Sequence, residues 1–194
     1  MVKELRVTNY VLENLAGDIK KTYFKNNEIK SYNNICKLIE KLDGNIEIKK
    51  DNLLSPYFVK RNNKFIVYIS QSNYEKINEK YYENKLVYEI AQCLSGLFLV
   101  AGYKISEEIW EAVPENKNLD GIINGINERR ISPETSHYFA CALLIGQDKY
   151  VKTINNYIQD QIINLKQLAN DLGVNINIAH MYGVKLKILS DYKF

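Results

Sequence analysis

The sequence predicts an α+β fold, a helical domain with a small antiparallel or mixed sheet of about three strands set beside one central helix. Apolar residues recur at helical spacing in residues 31–43 and again from Tyr81 to about Ala101. Between those segments, β-rich runs flank Arg61-Asn62-Asn63-Lys64, where asparagine tolerates the positive φ of a tight hairpin. A chain of 194 residues at 46% hydrophobic content is long enough to bury one substantial core.

Each element follows from local pattern. Tyr10, Leu12, Leu15 and Ile19 predict a helix over about residues 9–26, within an opening arm of residues 1–30. In SYNNICKLIEKLD, Ile35, Leu38, Ile39 and Leu42 share one face, and Gly44 stands where a left-handed C-cap belongs. NIEIKK alternates like an edge strand, and YFVKRNNKFIVYIS supplies the hairpin. The central helix carries Leu86, Ile90, Leu94, Leu97, Phe98 and Ala101 on a face broad enough to require a core. ISEEIWEAV predicts a short helix, and NLDGIINGINERR a helical or looped connection weakened by its glycines. Ser132 caps a second buried helix that opens with Pro133 and continues through TSHYFACALLIG. The remainder, DKYVKTINNYIQD, NLKQLANDLG and VNINIAHMYGVKLKIL, reads as helical to about Tyr182 and then β-like. The expected organisation is the arm, a main domain over 31–160, and a helical tail over 161–194 packed on it.

Composition narrows the function classes. MVKELRVTNYVLENLAG lacks the apolar run of a signal peptide, and no stretch approaches the roughly 20 apolar residues of a membrane span, so a cytoplasmic protein is expected. Cys36, Cys93 and Cys141 sit singly in apolar surroundings and suggest neither disulfides nor a zinc ribbon. A net charge of +3 is too weak to argue for nucleic acid and leaves the partner open; what makes nucleic acid unlikely is the lack of Arg and Lys in NINIAHMYG. With only His137 and His180 available, and no G-x-S-x-G or phosphate-cradling glycine loop, nucleophilic catalysis has few candidates.

Taken in order, NICKLIEKLDGNIEIKK, NNKFIVYIS, LVYEIAQ, HYFACALLIG and the closing NLKQLANDLGVNINIAHMYGVKLKIL resemble the ImmA/IrrE metallopeptidases over residues 31 to 189. In that family LVYEIAQ occupies the place of an H-E-x-x-H helix, and HYFACALLIG that of a helix carrying a glutamate ligand. The resemblance implies a zinc-peptidase framework, in which two histidines at i and i+4 bind the metal and the intervening glutamate activates water.

The residues depart from that chemistry. Tyr88 and Gln92 stand at the histidine positions, Glu89 remains at the base position, and Pro133 falls at the glutamate position. A phenol and an amide are very poor zinc ligands, so no cofactor is expected, and a Tyr88–Glu89–Gln92 cluster is expected to fill the old pocket. Glu89 is then a vestigial base. A rebuilt site from Glu134, His137 and Cys141, with Cys93 nearby, would restore zinc and an active peptidase. The resemblance implies a regulatory protein as partner, such as a helix-turn-helix repressor of a phage or mobile element, captured by strand addition at an exposed sheet edge. The rival is a helix-turn-helix DNA reader in LKQLANDLGVNINIAHMYGVKL, although its presumed recognition helix NINIAHMYG carries no Arg or Lys.

Overall fold

The structure is a computed structural model that describes residues 2–25, 28–50, 55–122, 126, 128–159 and 162–189. It is α+β, with a three-stranded mixed sheet and a separate two-stranded parallel sheet.

Strand β1 (Lys3–Leu5) runs parallel to β5 (Arg129–Ile131), a pairing that local pattern does not announce. Helix α1 (Asn9–Phe24) starts at Thr8, whose side chain accepts from the Val11 N–H. The opening segment, expected as an arm, belongs to the core. Leu12, Ala16 and Ile19 on α1 are buried in the main apolar cluster, and α1 packs on α6 (Pro133–Leu144).

Helix α2 (Tyr32–Lys41) buries the expected Ile35, Leu38 and Ile39. The glycine after it has a different purpose from the one expected. Asp43 takes the positive φ, at 63°, while a Cβ on Gly44 would lie 2.2 Å from the Phe65 ring. Gly44 is therefore required by close packing rather than by handedness.

Strand β2 (Asn45–Lys49) pairs parallel with β4 (Lys64–Ser70), and β3 (Tyr57–Arg61) pairs antiparallel with β4, giving the order β2-β4-β3. Asn62 and Asn63 form the hairpin turn with φ of 52° and 58°, as expected of a type I′ connection. The outer edge of β3 is closed by the chain itself. Phe58 and Leu119 exchange N–H to C=O bonds of 2.8 and 2.9 Å, and the Asn116 N–H donates to the Lys60 carbonyl at 2.9 Å. Strand addition at that edge, one form of the expected capture mode, is thereby blocked.

A short helix α3 (Gln71–Tyr74) precedes the central helix α4 (Lys80–Ser95), which widens into a π turn over Gly96–Val100. The backbone of Asp120 presses on that turn, since a Cβ on Gly96 would meet the Asp120 carbonyl oxygen at 2.0 Å. Helix α5 (Glu107–Glu111) is capped by Ser106, and the Lys60 ammonium reaches its C-terminal end, donating to the carbonyls of Trp110 at 2.7 Å and Glu111 at 3.1 Å. A buried lysine is tolerable there because helix C-terminal carbonyls carry negative partial charge. Residues 123–125 and 127 of the uncertain connection lie outside the described residues.

Ser132 caps α6 as expected, accepting from the Thr135 N–H at 3.1 Å. Helix α7 (Gln147–Ile154) follows, and then strands β6 (Ile158–Gln159) and β7 (Ile162–Ile163) form a small antiparallel pair where helix was expected. Helices α8 (Leu165–Leu172) and α9 (Ile176–Lys185) meet at Gly173, whose φ is 72°. The expected terminal strand is absent from residues 186–189. Lys187 adopts positive φ, the Ile188 and Leu189 N–H groups donate to the Gly183 carbonyl, and Leu189 is buried. Apolar alternation there serves a helix-terminating turn that tucks one leucine inward.

Candidate functional site

Helix α4 sends one side into the core and keeps another beside α9. Toward α6 it presents Ala91, Leu94 and Ser95, all fully buried. The Ser95 hydroxyl donates to Ser136 on α6 at 2.8 Å, and Ser136 donates to the Gln92 carbonyl at 3.3 Å. Small side chains allow the helices to approach, and the hydroxyl pair leaves no buried oxygen unpaired at the crossing.

One turn earlier on α4, the phenol oxygen of Tyr88 contacts Nδ1 of His137 on α6, with the rings 5.3 Å apart and edge to face. Nε2 of His137 is buried without a hydrogen-bond partner. Burial, and then the nearby Lys185 ammonium, hold the imidazole below its usual range, so the ring is neutral at physiological pH. The Tyr88 phenol on α4 thus has a histidine from the facing helix as its partner.

Glu89 faces the other side, where it pairs with Lys85 at 3.7 Å along the same helix. Burial pushes the carboxyl up and Lys85 opposes that shift. With Tyr81, Tyr88 and Gln92, this pair lines a groove of about 280 Å³ whose opposite wall is Asn175 to Ile178 at the start of α9. Tyr81 and Ile176 stand at its mouth, 61% and 46% exposed.

The remaining candidates are dispersed. Pro133 is the exposed first residue of α6 and offers no donor atom. The Glu134 carboxylate stands in solvent 3.5 Å from Lys185. Cys141 and Cys93 are buried, and burial pushes both thiols up, so neither is a ready thiolate. His180 lies on α9. Zinc does not fit this arrangement: Tyr88 occupies one nitrogen of His137, Glu134 is turned to a lysine, and among the described residues no three of His, Cys, Asp and Glu are grouped to hold a metal. The structure does bring Tyr88, Glu89, Gln92 and His137 to one region, but as two separate contacts rather than one cluster.

Helices α8 and α9 have the connectivity of a helix-turn-helix. The outward side of α9 carries Ile176, Met181 and Val184, each exposed, and offers no cation before Lys185. Phosphate neutralisation needs Lys or Arg along such a face. The start of α9 was missed as a groove wall by sequence reasoning. Lys85 and Glu89 were detectable as an i, i+4 pair, whereas nothing local in VNINIAH says which helix it will meet.

Comparison with protein families, with curated proteins and with solved structures finds no match to this chain. Among the described residues no helix is long and apolar enough to cross a membrane.

Proposed function

We propose that this chain is an ImmA/IrrE-like pseudopeptidase, a binding module that recognises a regulatory protein without metal chemistry. The observation that carries the reading is the contact of Tyr88 with His137 at the position where two ligand-bearing helices would share a zinc ion. It engages the one imidazole on α6 and leaves Glu89 paired with a lysine instead of a metal-bound water. Glu89 by itself cannot bring water from a pKa of about 15.7 to near 7, which is what the metal does in such enzymes.

The partner surface is the groove between α4 and α9, where apolar Tyr81 and Ile176 flank an interior of amide, phenol and carboxylate groups. Pockets of that kind hold a side chain by apolar contact and orient it by a few polar groups. A helix-turn-helix repressor is the proposed class of partner.

The test is elemental analysis of untagged protein, paired with thermal melts in chelator and in added zinc. The expected result is well under one equivalent of zinc and superimposable melts, since a tightly bound ion would stabilise the fold by linkage. One equivalent of zinc that disappears in His137→Ala overturns the reading and restores an active metallopeptidase.

A further inference from the structure

The two edges of the main sheet are treated differently. The β3 edge is filled in cis by the segment around Leu119, while the outer edge of β2 carries no strand among the described residues. Such an edge is a row of backbone donors and acceptors, and proteins that keep one solvent-facing usually blunt it with charge. Here the blunting is incomplete, because Ile48 in the middle of β2 is 45% exposed.

The charges on β2 also have an order. Glu47 registers with Tyr68 and Lys49 with Ser70, which puts both on the sheet face away from the main core. Lys49 is held there, donating to the Tyr57 hydroxyl at 2.8 Å and lying 4.2 Å from the centre of the Tyr68 ring. Glu47 has a looser partner, Arg61 at 3.9 Å. Ile48 registers with Ile69 on the opposite, core-side face.

We propose that β2 is a self-association edge, on which two copies of this chain pair antiparallel about a two-fold axis through Ile48. In that register Ile48 meets the partner's Ile48, and Glu47 meets the partner's Lys49 on both sides of the axis. Shifting the axis to Glu47 would set two carboxylates against each other, so the charge order selects one register. Lys49 leans inward across β4 to Tyr57 and Tyr68, so it exchanges that bond for the incoming carboxylate when the two copies pair. The same alternation of Glu and Lys that repels most strands attracts a second copy of itself. The contact is isologous, as a closed dimer requires. A five-residue strand gives an interface well below the roughly 1,200 Å² of stable complexes, so the dimer is weak, with a dissociation constant on the order of 100 µM. The inference is independent of what the α4–α9 groove binds.

Sedimentation velocity of the untagged full chain, from about 5 to about 500 µM to bracket that constant, tests it. The expected result is a monomer at the low end and a dimer at the high end. Glu47→Lys and Lys49→Glu should each remain monomeric throughout, because each makes the facing pairs alike in sign. Mixed in equal amounts, these two variants should associate again, since the introduced lysine of one then faces the introduced glutamate of the other, and every facing pair is again opposite in sign. A wild-type monomer at every concentration, or a dimer that persists in Glu47→Lys, overturns the proposal. So does a mixture of folded variants that fails to associate. If Lys49→Glu melts early for want of its Tyr57 bond, Ile48→Lys decides instead: the dimer must be lost, and its survival in a folded variant overturns the edge assignment.

Discussion

The two sides of α4 differ in what their polar groups are for. Toward α6, the hydroxyls at the crossing serve packing: Ser95 donates to Ser136, and Ser136 donates to the Gln92 carbonyl. Toward α9, Lys85 and Glu89 pair at 3.7 Å over an open groove, a separation too long for a hydrogen bond. One helix thus carries a side that the fold depends on and a side that the fold can do without. The lesson is that polar groups closing a helix crossing and polar groups lining a groove can sit within one turn of each other on the same helix. The Tyr88–His137 contact lies where the two sides meet, and it joins α4 to α6.

Mutations on the packed side should have the largest effects. Leu94 is fully buried, and Leu94→Ala should lower the unfolding free energy by about 3 kcal/mol in a denaturant titration. Gly96→Ala should cost about 2 to 3 kcal/mol, because its new methyl group meets the Asp120 carbonyl, which is backbone and cannot rotate away. An unfolding midpoint unchanged by either would remove the distinction between the two sides.

At the junction, the effect should appear as a dependence on pH. The half-buried His137 has a pKa below its unfolded value, so the unfolded chain takes up a proton that the folded one refuses. Stability should therefore decline as pH falls through about 6.5, by at most about 1.4 kcal/mol per pH unit from this group. His137→Gln should flatten that part of the profile in melts from pH 7.5 to 5.5. A slope unchanged in the variant would show that the imidazole is not kept neutral by its surroundings.

On the groove side the expected effects are small. Ile176→Glu changes an exposed residue and should alter stability by no more than about 0.5 kcal/mol. Glu89→Gln should be slightly stabilising at pH 7. Its folded pKa is raised, so ionisation favours the unfolded chain as pH rises, and the glutamine removes that penalty while giving up a Lys85 pair worth under about 1 kcal/mol. The difference between wild type and variant should vanish below about pH 4, where the carboxyl is protonated in both states. A variant destabilised by several kcal/mol would place Glu89 among the packing residues.

Much of the fold was legible in the residues because it rests on short-range rules. The Asn62-Asn63 turn, the Ser132-Pro133 helix start and the Ile35-Leu38-Ile39 face are each decided by neighbours within about one turn of chain. The candidate site was legible only as residue types. Tyr88 opposite His137 follows from the order of two helices, yet their direct contact, and the groove that Glu89 lines with the start of α9, depend on how α4 is rotated about its own axis.

By itself the sequence determined most of the helical segments, where the hairpin turns, and that the Tyr88-Glu89-Ile90-Ala91-Gln92 stretch carries no imidazole. Tertiary structure alone decided that Leu119 closes the β3 edge, that Lys60 is buried against the end of α5, that the first helix joins the core, and that α9 walls the groove. The physical reason is range. Helical and strand periodicities are written by the backbone's own repeat, whereas a backbone bond from Phe58 to Leu119 depends on the placement of every element between them, and no local pattern records that placement.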